Sequence, residues 1–303
     1  MKLSKQQGIV LALAAALVSG ISIYINKFGV AQVKDPFVYT TVKNSAVVIG
    51  LLAGVGLLAS WKELRALTPT RWFAWIGLGV IGGGIPFLLF FQGLSTASAA
   101  SAALIQKSLF LWVALLALPL LKERLGAWQV LGLAVLAVGQ FLLQPPTSWK
   151  GWGTGETLIL IATLLWAVET MLAKKVLGWM SAQTAALGRM GIGALVMWVF
   201  LTITGRAGMA FTLGGTQWLW IVVTAVFLMA YVWTWYSALK WAPATLVTSV
   251  LTSGAIVTIL LSAVIDRHAA TAPQLVALAL LVVGAALFAL PRRVWRRQLV
   301  EAA

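Results

Sequence analysis

The 303-residue sequence contains no cysteine and a single histidine, His268. The first absence excludes disulfides, thiolate chemistry and cysteine metal sites, and a lone histidine cannot build a metal or triad site by itself. Acidic residues are scarce as well: seven Asp and Glu stand against 22 Lys and Arg, and charged residues make up only 10% of the chain. A soluble domain carries about a quarter charged residues, so this chain cannot cover a soluble surface of its size. That excludes a cytosolic enzyme, a nucleic-acid binder and a disordered chain. No Walker sequence is present, so ATP is not a direct energy source. Asp35 and Asp266 are the only aspartates, both at the outer ends of apolar runs, which leaves intramembrane proteolysis without a catalytic pair. Neither catalysis nor a cofactor is expected.

What is there is apolar: 61% of residues are hydrophobic and the mean hydropathy is +0.97. A helix that spans a bilayer needs about 20 mostly apolar residues. Ten such stretches can be read, near Gly8–Val30, Pro36–Ser60, Arg71–Leu94, Ser98–Leu121, Gly126–Gln144, Gly155–Leu177, Ser181–Thr204, Thr216–Leu239, Pro243–Ile265 and Pro273–Leu290. The expected fold class is therefore an all-α integral membrane protein. Lys2 and Lys5 before the first apolar run give it the look of a signal peptide, but removing it would break the repeat described below, and it is read as a retained helix.

The net charge of +15 becomes a statement about topology. With the N-terminus in the cytoplasm, 14 cations fall on inside positions and four (Lys34, Lys150, Arg206, Arg267) on outside ones. Another four, Lys27, Lys43, Lys107 and Arg189, lie within spans. The positive-inside rule then places both termini in the cytoplasm of a cell with this protein in its inner (plasma) membrane. Eleven of the 16 Trp lie near span ends as an interfacial belt, leaving Trp112, Trp166, Trp198, Trp233 and Trp235 deeper.

The two halves repeat. Shifted by 145 residues, Phe91–Lys107 lies over Tyr236–Thr252, Gln129 meets Gln274 and Gly139 meets Gly284. A shift of 147 superposes Leu17–Ser22 on Leu164–Glu169 and carries Lys27 onto Lys174, and a shift of 146 places Lys43 on Arg189. The expected units are residues 1–147 and 148–303, the second ending in a basic cytoplasmic tail. Five spans per half is an odd number, so the second half enters the membrane inverted. Inverted repeats are a mark of transporters, whose substrate site lies near the midplane where the repeats meet.

Ionisable groups inside the hydrocarbon are costly and face a cavity, a partner or the interface. Glu169 lies roughly 13 Å from the inner end of its span and Arg189 roughly 12 Å into the next at 1.5 Å per residue. The expected arrangement is a Glu169–Arg189 pair, either a structural ion pair or a gating or coupling element. Glu169 is the only carboxylate well inside a span, and so the natural carrier if transport is coupled to protons. The repeat position of Glu169 is Ser22, which cannot ionise. Lys43 therefore has no evident carboxylate partner, and either receives an anionic substrate group or snorkels to the outer interface. Lys27 is read as snorkelling. Lys107, roughly 15 Å from either face, binds a carboxylate or pairs with helix carbonyls. Ser22, Tyr39, Trp166, Tyr231 and Trp235 are candidates for a cavity wall. Gly82, Gly83, Gly84 and Pro86 break the third span and permit either close packing or a hinge.

Ten spans in two five-helix halves, with Gly93–Leu104 (GLSTASAASAAL) opening the fourth helix, resemble the drug/metabolite transporter superfamily of EamA type. Leu165-Trp166-Ala167 and Val18-Ser19-Gly20 are partial versions of the step that begins each half there. Lys43 and Arg189 match its basic residue in the second helix. Glu123 in LKERLG matches its Glu after the fourth helix, where the second half has Asp266-Arg267-His268 instead. The resemblance is strongest to the amino-acid and metabolite exporter branch, including the YddG-like exporters of aromatic amino acids. It implies export of small amphipathic metabolites by alternating access, with a small-molecule substrate and the lipid bilayer as partners. Nucleic acid has no role, and the oligomeric state stays open, with a monomer sufficient. A drug or phosphorylated-sugar transporter of the same superfamily is the alternative. From another class, so is a non-transporting membrane sensor, scaffold or membrane-embedded enzyme.

Overall fold

The structure is a computed structural model and describes residues 5–57, 61–143, 151–267 and 270–289. All regular structure among them is helical. The helices are α1 (Lys5–Gln32), α2 (Pro36–Leu57), α3 (Trp61–Arg65), α4 (Pro69–Gly79), α5 (Ile85–Leu94), α6 (Ala99–Lys107), α7 (Leu109–Leu120), α8 (Ala127–Leu143), α9 (Thr154–Val176), α10 (Ala182–Ile203), α11 (Gly215–Trp241), α12 (Ala244–Leu251), α13 (Gly254–Ile265) and α14 (Ala272–Ala289). A five-residue π-helical turn, Val80–Gly84, joins α4 to α5.

Eight helical stretches among the described residues are long and apolar enough to cross a membrane: α1, α2, α4 through α5, α6 through α7, α9, α10, α11, and α12 through α13. Two of the ten expected spans, α8 and α14, are apolar but shorter, and their expected ends at Gln144 and Leu290 fall outside the described residues. In hydrocarbon every backbone N–H and C=O must be satisfied within the chain, which selects helices for such runs. Their starts follow local chemistry. Asp35 accepts from the backbone N–H of Phe37 (2.8 Å) and Val38 (3.1 Å) at the start of α2, Ser98 from Ser101 at the start of α6, and Ser181 from Thr184 at the start of α10.

The interior is mostly apolar but also holds buried polar groups, and large apolar side chains cover the outside. Thr40, Thr41, Asn44, Thr163, Glu169 and Thr170 are buried, while Ile49, Val199, Ile203, Phe211 and Val264 are exposed. The helices pair in a regular way: α1 packs along α11, α9 along α4–α5, α2 against α10, and α8 against α14. Gly132 and Gly284 let α8 and α14 close in, since a Cβ on Gly132 would sit 3.0 Å from the Gly284 carbonyl oxygen.

Two expected spans are each interrupted. The fourth breaks at Ser108 between α6 and α7, and the ninth at Thr252–Ser253 between α12 and α13. Ser108 and Ser253 are 145 residues apart, the same offset that aligns Phe91–Lys107 with Tyr236–Thr252.

Candidate functional site

The third span shows how a short sequence builds a polar site in a membrane. Pro86 has no N–H, so the carbonyl four residues back, that of Gly82, loses its helical donor. The chain widens there into the π turn, and two side chains take up the freed carbonyl. Trp166 Nε1 donates to Gly82 O at 3.0 Å, and Arg189 Nε donates to the same oxygen at 3.4 Å. The glycines serve close approach: a Cβ on Gly82 would collide with Glu169 Cγ, and one on Gly83 with the Arg189 carbonyl oxygen. Gly82, Gly83 and Gly84 thus all stand at close helix contacts, Gly84 facing Val196.

Around this carbonyl gather Glu169 (2% exposed), Arg189 (9%) and Tyr236 (0%). Tyr236 donates its hydroxyl to Glu169 Oε1. Arg189 lies within electrostatic reach of the carboxylate and of Tyr231 and Tyr236. The expected direct pair does not form, however: the ion pairs closed within 4.0 Å among the described residues are Lys27–Asp266 and Arg206–Asp35. The reason is local. The guanidinium is drawn to Gly82 O, and the tyrosine hydroxyl occupies the carboxylate. Trp166 packs against Phe87 and Phe90, at ring distances of 5.4 and 5.6 Å. Tyr231 stacks on Trp235 at 6.1 Å.

A second buried cation sits on α2. Lys43 is 8% exposed; its ammonium donates to Asn26 Oδ1 at 3.1 Å and lies 4.7 Å over the Tyr39 ring. Its side chain thus packs between Asn26 of α1 and the Tyr39 ring. The Tyr39 hydroxyl bridges Asn26 Oδ1 (2.6 Å) and Thr224 Oγ1 (2.9 Å). Lys107, half-buried, ends α6 beside the break at Ser108, where helix carbonyls attract a cation; among the described residues its ammonium makes no hydrogen bond or ion pair. Ser22 is half-buried on α1 and joins neither cluster by a hydrogen bond among the described residues.

Several contacts went unread in the sequence. Lys27, expected to snorkel, closes on Asp266 at 2.5 Å, and Asp266 also accepts from Tyr24 and Ser262 at 2.8 Å each. These donors, Lys27 first, hold the Asp266 carboxyl down at about 2. At another helix junction Glu123 accepts from the N–H groups of Ala244 (2.7 Å) and Thr245 (3.2 Å), capping α12. Near it Lys174 donates to the carbonyls of Leu239 and Ala242 that end α11. Tyr236, Asn26 and Thr224 were missed because single polar groups in apolar runs carry no periodic signal. The one available clue was that a tyrosine hydroxyl deep in a span must find an acceptor.

The sequence model of the EamA-like transporter family matches residues 6–144 and 153–290 of this chain. A Sinorhizobium protein described as an uncharacterized transporter in the cobO 3'region is 27% identical over 132 residues, which is 44% of this chain and 92% of that one. A protein of known crystal structure superposes with a TM-score of 0.80 at 19% identity, over 98% of this chain and 99% of the other. That last likeness is one of fold.

Proposed function

From a chain that belongs to the EamA-like transporter family, and so is a multi-pass membrane transporter, we propose a secondary transporter of ten spans arranged as two inverted five-helix repeats. In this reading it exports small amphipathic metabolites by alternating access, amino acids first and aromatic or neutral ones above all, as in the YddG-like branch. It sits in the inner (plasma) membrane with both termini in the cytoplasm.

Four features support the repeat. The boundary at 147/148 falls between the two stretches that match the family. The broken helices sit 145 residues apart. Exchanging the halves turns the α1–α11 packing into that of α9 with α4–α5. It also returns α2–α10 and α8–α14 to themselves. Interrupted helices at corresponding places in two halves point to the substrate site of such folds.

The observation that carries the reading is the buried Glu169–Tyr236–Arg189 cluster on the freed Gly82 carbonyl. Charges this deep are retained for function, and they cost too much to serve as ornament. Lys43 and Lys107 then receive the substrate carboxylate, Tyr231, Trp235 and Trp166 face its apolar side chain, and Glu169 exchanges a proton for it. Protonation of Glu169 would reverse its hydrogen bond with Tyr236 or release it, and so loosen α11 from α9.

The test is flux into liposomes holding the purified chain, with labelled aromatic, small, basic and acidic amino acids. Saturable flux of the aromatic or neutral members is expected. Flux confined to lipophilic drugs or phosphorylated sugars would overturn the substrate class. In Glu169→Gln, dependence of flux on an imposed pH gradient should vanish; its persistence would remove Glu169 from coupling.

A further inference from the structure

A groove of about 500 Å³ runs between α2 and α10, closed at one end by α3 and floored by Trp75. Its walls include Ile49 and Leu52 of α2, Leu64 of α3, and Gly191, Ala194 and Trp198 of α10. The polar atoms nearest to it are already engaged. Trp198 Nε1 donates to Ser45 Oγ at 2.9 Å, and Trp75 Nε1 donates to the Thr184 carbonyl at 2.8 Å. A polar solute entering there would lose its water and find no partner, whereas a hydrocarbon chain loses nothing. The groove is therefore not part of the transport site, which lies with Glu169 and Lys43.

Two measures identify the occupant. Along α10 the lining runs from Leu187 to Trp198, 11 steps and roughly 16 Å at 1.5 Å per residue. Half of a hydrocarbon core is about 15 Å, so this lining is about as long as one acyl chain. At its α3 end stand Lys62, Arg65 and Arg71, all exposed. The carboxylate among them, Glu63, accepts from the Ser181 N–H at 2.9 Å and is spoken for. An apolar channel of that length with a cationic mouth fits an anionic headgroup followed by an acyl chain.

We propose that this groove is a binding site for an anionic phospholipid of the leaflet on the α3 side. One acyl chain lies along α10 from Leu187 to Trp198, and the headgroup phosphate rests on Lys62, Arg65 and Arg71. Gly191 gives the chain its seat, because a Cβ placed there meets nothing within 4 Å.

Native mass spectrometry of the purified full chain with phosphatidylglycerol and phosphatidylcholine of matched chains tests this. The wild type should retain one phosphatidylglycerol in preference to phosphatidylcholine by about tenfold, the size expected of cations at a membrane surface. Lys62→Gln with Arg65→Gln should erase most of that preference. Gly191→Phe should lose both lipids, its melting temperature serving as the check on folding. A second probe needs no variant: phosphatidylglycerol with a diazirine in its acyl chain should label residues 187–198 of α10. Equal retention of the two lipids, adducts scattered over the outer surface, or a groove that closes by dimerisation as protein concentration rises would each overturn the proposal.

Discussion

Lys43 and Arg189 stand 146 residues apart, each buried on the helix after the first long one of its half, yet their surroundings differ. Arg189 sits beside a carboxylate, two tyrosines and a carbonyl that Pro86 leaves without a donor. Lys43 has one amide oxygen and one aromatic face. Burial of a charge is tolerated when partners compensate it and costly when they do not. The first cluster is thus compensated from within the chain. The second holds a cation with no carboxylate against it among the described residues, which is why the proposed function gives it the substrate carboxylate. In the proposed repeat the two cations hold corresponding positions in different surroundings.

The largest expected break in this comparison comes from removing each cation in turn. Arg189→Met leaves Glu169 buried without its countercharge and should cost about 3 kcal/mol, read as a large fall in melting temperature in detergent. Lys43→Met gives up the Asn26 bond and the Tyr39 contact but also the cost of burying a charge, and should change stability by less than about 1 kcal/mol. Equal losses would make the two sites alike. Next in size is Gly82→Ala, whose Cβ has no room against Glu169 Cγ; a loss of about 2 kcal/mol is expected. Gly54→Ala, with nothing within 4 Å, should instead stabilise α2 by up to about 1 kcal/mol.

The tyrosines sharpen the contrast further. Tyr236→Phe takes a donor from a buried carboxylate and should cost about 2 kcal/mol, against about 1 kcal/mol for Tyr39→Phe. The second change keeps the ring under Lys43 and the Lys43–Asn26 bond. The smallest effect lies at the surface. A carboxyl held at about 2 rather than its ordinary 3.8 stabilises the Lys27–Asp266 contact fully above pH 3.8. That contribution is lost as pH falls through 2. The melting difference between wild type and Asp266→Asn should therefore be present above pH 3.8 and shrink by pH 2. A difference that grew with acid would reverse the assignment.

Much of the scaffold was legible because length and hydropathy are strong signals in a membrane chain. The apolar runs found their helices to within a few residues, and Gly82–Gly84 with Pro86 marked the irregular turn. The breaks at Ser108 and at Thr252–Ser253 were not read, since neither carries a proline or a glycine pair at the break itself. Among the candidate residues, Glu169 and Arg189 were singled out by charge and depth, and the structure brings them into one cluster. Their direct pairing failed because depth along an axis says nothing of rotation about it. Tyr236 and the Gly82 carbonyl intervene through contacts 67 and 107 residues away in sequence. Lys27 was judged by depth alone, which could not show that the end of α13 brings Asp266 to it.

The most direct test sets the two clusters against each other during transport. Exchange of labelled phenylalanine and of its carboxamide would be measured in liposomes holding wild type, Lys43→Met or Glu169→Gln. Lys43→Met is expected to abolish the preference for the free acid over the amide. Glu169→Gln should keep that preference while losing its response to pH. If Lys43→Met left the preference intact, the open cation would not be the group that receives the substrate, and the division of labour drawn here would be wrong.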